Sequence, residues 1–112
     1  MTRYLISFDD GWMDISEEDF DDVSKAAHDV VREAKDAGVW VLGAGLRSQR
    51  ASVVGTDGTV VDGPYPEVKA ILGGFAIVDV PSRDDALAWA AKIAVACRCS
   101  QEVREIMDDP DS

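Results

Sequence analysis

Apolar and polar positions alternate from Tyr4 to Phe8, with Tyr4, Ile6 and Phe8 on one side and Leu5 and Ser7 on the other. A period of two predicts a strand, which Asp9, Asp10 and Gly11 then end. Ser16, followed by Glu17, Glu18 and Asp19, has the form of an N-cap with an acidic first turn, so a helix is expected to begin there. Phe20, Val23, Ala27, Val30, Val31 and Ala34 then recur at three- and four-residue steps, the apolar stripe of an amphipathic helix, and Gly38 supplies a left-handed cap. Val39 to Leu42 reads as a short buried strand running into Gly43, Ala44 and Gly45. Glycines there mark a twisted or bulged strand end, or a place where a ligand comes close.

Ser52 to Thr56 and Thr59 to Asp62 flank Asp57-Gly58, a pair suited to a type I′ turn, and predict a hairpin. Gly73 to Val80 is the next strand, with Ala76, Val78 and Val80 on one face and Phe75, Ile77 and Asp79 on the other. Pro81 closes it, and Ser82 with Asp85 repeats the cap signature ahead of a helix carrying Ala86, Leu87, Ala90, Ile93, Ala94 and Cys97. Glu102 to Met107 alternates as a last strand, leaving 108–112 as an acidic tail after a domain spanning 1–107.

The order strand, helix, strand, hairpin, strand, helix, strand predicts an α+β fold: one sheet with both helices on one face, because both crossovers are right-handed. The other face stays open. If Tyr4, Phe8, Phe75 and Ile77 contribute to it, a second copy's sheet is the simplest cover, so a homodimer is expected.

With 112 residues, 46% of them hydrophobic and 29% charged, the chain suits one globular domain. A formal charge of -11 repels phosphate backbones and anionic headgroups, which argues against nucleic-acid and membrane partners. No stretch approaches the roughly 18 apolar residues of a membrane span, and the N-terminal residues have no secretory pattern, so a cytoplasmic location is the expectation. Cys97 and Cys99 stand two apart, too close for an ordinary structural disulfide. Neither they nor His28 have the spacing of a zinc site, and there is no dinucleotide fingerprint, Walker loop or nucleophile elbow, so neither metal nor cofactor is expected.

The residues that carry candidate chemistry are few. His28, the one histidine, borders the apolar stripe of the first helix, where its ring reaches either a cleft or water. Paired with a carboxylate, it can act as a general base near neutral pH; otherwise it is an ordinary boundary histidine. Asp79 shares a face with Phe75 and Ile77 and needs a partner there, Arg104 being the cross-strand candidate. Arg47 and Arg50 follow the glycine-rich strand end, and guanidinium groups there suit a small carboxylate.

The blocks Asp62-Gly63-Pro64-Tyr65-Pro66-Glu67-Val68-Lys69, Leu72-Gly73-Gly74-Phe75 and Asp79-Val80 resemble the signature of the DGPF branch of YCII-related proteins. Tyr65 stands where that branch often has phenylalanine. Asp84-Asp85-Ala86-Leu87, Trp89-Ala90, Glu102-Val103-Arg104 and Ala37-Gly38 with Gly43-Ala44-Gly45-Leu46 extend the resemblance over nearly the whole chain. It implies a ferredoxin-like sheet that dimerises face to face as a dimeric α+β barrel. It also implies a His-Asp pair in the cleft between the sheet and the first helix, as some relatives are thought to use. His28 matches the histidine. Asp10 is the best match for the aspartate, with Asp9 and Asp79 as rivals.

Two functions follow from this reading. One is a cofactor-independent lyase, isomerase or hydrolase acting on a small organic acid, with His28 as base, Asp10 as its orienter, and Arg47, Arg50 and Asp79 around the substrate. The other is a non-catalytic dimeric domain that binds a small ligand or a protein partner. Loss of activity on replacing His28, with the dimer intact, separates the first from the second.

Overall fold

A computed structural model of the chain describes residues 1–47, 51–62 and 72–111. It is an α+β structure with two helices and a four-stranded antiparallel sheet in the order β2-β5-β1-β6. The strands are β1 (Thr2–Asp9), β2 (Trp40–Gly45), β3 (Ser52–Val54), β4 (Val60–Asp62), β5 (Leu72–Val80) and β6 (Glu102–Glu105); the helices are α1 (Phe20–Asp36) and α2 (Arg83–Cys97). Strands β3 and β4 form a separate hairpin. The segment 63–69 of the family signature and Arg50 lie outside the described residues. No helix among the described residues is long and apolar enough to cross a membrane.

The period-two pattern of β1 and β5 fixes which side chains go inward. Their antiparallel register sets Tyr4 opposite Val78 and Ile6 opposite Ala76, and all four are buried. Ala86 and Ala90 of α2 join this cluster, their short side chains letting the helix lie close on the sheet. Helix α1 packs beside α2, and Lys92 of α2 pairs with Glu33 of α1.

This register corrects one expectation. Tyr4 and Phe8 lie on the helix-covered face, not with Phe75 and Ile77, because each opposes an inward position of β5. The open face therefore carries Leu5, Ser7, Phe75 and Ile77, with Leu42 beside Ile77 at 47% exposure.

The helix ends follow sequence chemistry unevenly. Gly38 has φ +76, with its N–H donating to the Lys35 carbonyl at 3.0 Å and the Val39 N–H to the Ala34 carbonyl at 3.1 Å, which closes α1 in a Schellman motif. Ser82 caps α2 as expected, its hydroxyl oxygen accepting from the Asp85 N–H at 3.2 Å. Ser16 does not cap α1. Its carbonyl accepts from the Asp19 N–H in a turn at 3.1 Å, and the helix starts at Phe20. The Asp19 carboxylate, at the N-cap, goes instead to Arg98 at 3.0 Å. Arg98 caps the end of α2 in the left-handed region at φ 56, so this pair ties the start of one helix to the end of the other.

The hairpin exists, but its turn is not type I′. Gly58 has φ +84 while Asp57 lies outside the positive-φ region, and the Gly58 N–H donates to the Gly55 carbonyl at 3.0 Å. A turn centred on Thr56 and Asp57, closed by a left-handed glycine, is the three-residue hairpin form. The Asp57 carboxylate accepts from the Thr59 N–H at 2.9 Å, and that bond with others nearby holds its pKa below the usual value.

Candidate functional site

Between α1 and the inner face of the sheet lies a cleft of about 380 Å³. Its floor is Ile6 and Ala76, from the inward rows of β1 and β5, and its walls include Phe8, Val31, Trp40 and Ile93. Two glycines let the aromatic walls lie close to the sheet. A β-carbon on Gly43 would stand 2.6 Å from the Trp40 ring, and one on Gly74, the cross-strand partner of Phe8, would stand 2.8 Å from the phenyl ring. The approach anticipated at Gly43 is thus made by the chain's own indole, next to a bulge in β2 between Trp40 and Leu42. Gly45 has open space where a side chain would be.

The polar part of the lining is small: His28 and Lys35 from α1, with Cys97 and Gln101 from the end of α2 and beyond. His28, Val31 and Lys35 recur at steps of three and four, so all three sit on the cleft side of α1. Burial, and secondarily the neighbouring Cys99 thiol, pushes the Cys97 thiol up, which keeps it protonated and unreactive near neutral pH. Cys99 is buried behind it, its own thiol also raised by burial, and accepts from the Gln101 side-chain N–H at 3.4 Å.

The residues singled out in the sequence do not all meet. His28 lines the cleft with its side chain exposed. Asp10 opens a short 3-10 turn (Asp10–Trp12) directly after β1, close in sequence to Phe8 and Met13 of the cleft wall. Its rival Asp9 is engaged locally, accepting from the Gly11 N–H at 2.8 Å. Arg47 is exposed beyond the end of β2 and is not part of the cleft wall.

Asp79 is on the opposite face of the sheet. It faces Arg3 across β1 and β5, with 4.0 Å between the charged groups, beside a separate cavity near the first and last strands. Arg104 is not its cross-strand neighbour, because β1 lies between β5 and β6 and sets Arg104 opposite Leu5. Arg104 pairs with Glu102 instead. One Asp79 carboxylate oxygen is buried without a hydrogen-bond partner among the described residues.

Sequence reasoning passes over Lys35, Trp40 and Phe8. A signal for Lys35 is present, since it follows His28 by seven residues on the same helical face. Trp40 carries none, because its place over Gly43 depends on a bulge.

Compared with family models, residues 4–109 match the YCII-related domain. No curated protein matches the chain.

Proposed function

The chain belongs to the YCII-related domain family, and from that premise we propose that the α1–sheet cleft is a small-molecule site. In it His28 carries out a cofactor-independent proton transfer on a small organic acid, of the lyase, isomerase or hydrolase kind. The observation that carries this reading is that the single histidine lines the apolar cleft between α1 and the sheet. A cleft of about 380 Å³ falls at the small end of the 300–1,000 Å³ common for ligand sites, and apolar walls with few polar groups are their usual form. A neutral imidazole takes a proton from a carbon or oxygen of the acid and returns it to another atom, and Asp10, which the family resemblance matches to the aspartate, is the proposed orienter of the ring. Incubating a panel of small organic acids with the protein in heavy water tests this: catalysed C–H exchange or conversion in one of them, absent in His28→Ala, is the expected result.

The second reading, a non-catalytic binding domain, is favoured by one observation. The His28 ring has no carboxylate hydrogen bond among the described side chains, which do not include that of Asp10. Saturable binding of an acid without any exchange or turnover would select it.

The strand order β2-β5-β1-β6 with its two helical crossovers supports a ferredoxin-like arrangement, and the sequence block Asp62-Gly63-Pro64-Tyr65 supports the DGPF branch. Leu5, Leu42, Phe75 and Ile77 on the open face support a homodimer formed sheet to sheet, as a dimeric α+β barrel.

A further inference from the structure

Helix α1 sorts its charges by side. Asp22, Asp29 and Glu33 line the outer groove that α1 forms with α2, where Arg32 pairs with Asp29 at 3.2 Å and Lys92 with Glu33. The cleft side of the same helix has His28 and Lys35. In a chain with 22 acidic residues, none of the described side chains lining the cleft is acidic. Lys35 has no carboxylate within ion-pair distance among the described residues, although Asp29, Arg32 and Glu33 of the same helix are each paired. A cation on an apolar wall where no described side chain is acidic is a place for an anion's charged end, where the local attraction outweighs the screened repulsion of the surface carboxylates.

The apolar part has a shape as well as a polarity. Trp40 and Phe8 each lie over a glycine, at a distance that a β-carbon on that glycine would obstruct, and both rings line the cleft. Rings held in this way lose little freedom when a second flat ring stacks on them, and aromatic pairs gain attraction beyond the area they bury. Short aliphatic acids use neither ring, and a dicarboxylate would place its second charge against apolar walls at a desolvation cost.

We infer that the cleft is selective for an aromatic monocarboxylate, with the ring against Trp40 and Phe8 and the carboxylate on Lys35. This rests on the reading of the cleft as a small-acid site and narrows it. His28 stands seven residues from Lys35, about 10 Å along the helix axis, so it faces the body of the ligand and not the carboxylate.

Three probes, benzoate, benzamide and succinate, test this by amide chemical-shift titration of the full chain. Benzoate is expected to shift cleft resonances, Val31 and Trp40 among them, and to bind about tenfold or more tightly than benzamide, the effect of one charge-assisted contact. Succinate is expected to bind at least as weakly as benzamide. Lys35→Met should weaken benzoate by a similar factor and leave benzamide unchanged; because Lys35 is exposed, this variant keeps the fold. Succinate binding in the cleft as well as benzoate would overturn the aromatic preference while leaving the small-acid site standing. Equal affinity for benzamide and benzoate would overturn the role of Lys35. If none of the probes moved the cleft resonances, the small-acid reading would fall and the inference with it.

Discussion

The indole of Trp40 lies so close over Gly43 that a β-carbon at that glycine would be 2.6 Å from two of its ring atoms. The same β-carbon would stand 3.0 Å from the Phe75 carbonyl oxygen, so neither the ring nor the strand behind it gives way freely. This contact sets the position of one wall of the cleft. Gly43→Ala is expected to cost about 1–3 kcal/mol through overpacking and to change the tryptophan fluorescence. Gly45→Ala, with nothing within 4 Å, should stay within about 0.5 kcal/mol of the parent. Urea unfolding of the two variants side by side measures the difference.

Ser82 caps α2 in both directions, accepting from the Asp85 N–H and donating to the Asp85 carboxylate at 3.0 Å. Ser82→Ala should therefore destabilise the protein by about 1 kcal/mol in thermal or urea unfolding. Ser16→Ala should have a much smaller effect, since Ser16 contributes only a backbone carbonyl to the turn before α1.

Cys97 and Cys99 are expected to lower stability on the alkaline side. Burial raises both thiols above their ordinary value of 9.0, so the folded chain keeps protons that the unfolded chain gives up above that pH. Their contribution to stability is complete below pH 9 and is lost as the pH rises through the folded values. Unfolding free energy should fall above pH 9 more steeply in the parent than in Cys97→Ala, as followed by urea titration at each pH. Equal slopes would mean that the thiol protons do not contribute.

Much of this architecture is legible in the sequence. The alternation in Tyr4–Phe8 and Gly73–Val80, the stripe from Phe20 to Ala34 and the Gly38 and Ser82 caps are local signals, and each element forms where its signal lies, although Phe20, the first member of the stripe, is exposed. Local patterns mislead where a long-range contact competes with them. Asp19 is free to leave its own helix because Arg98, 79 residues away in sequence, offers a charged partner. Asp79 faces Arg3 because strand order, which no short pattern encodes, places β1 and not β6 beside β5. The candidate site divides in the same way. His28 is legible from helical period, whereas the placement of Asp79 and Arg47 away from it depends on register and strand ends.

The open sheet face gives a test of assembly independent of ligand. Ile77 lies there beside Leu5 and Leu42, and a charge at its centre would have to be buried between two copies. The protein should sediment at twice its 12.1 kDa chain mass, and Ile77→Glu should shift it to the single-chain mass with its helical signal retained. A parent that sediments as 12.1 kDa at micromolar concentration would remove the dimer.

In the proposed function the α1–sheet cleft is the functional site and His28 belongs to it. Because the chain has one histidine, the imidazole carbon-bound protons give an unambiguous NMR reporter within the cleft. Recorded at fixed pH while benzoate is added, they are expected to shift saturably, with the same dissociation constant as the resonances of Val31 and Trp40. Imidazole signals that stay in place while benzoate shifts residues of the outer groove or the open sheet face would show that the ligand site is elsewhere.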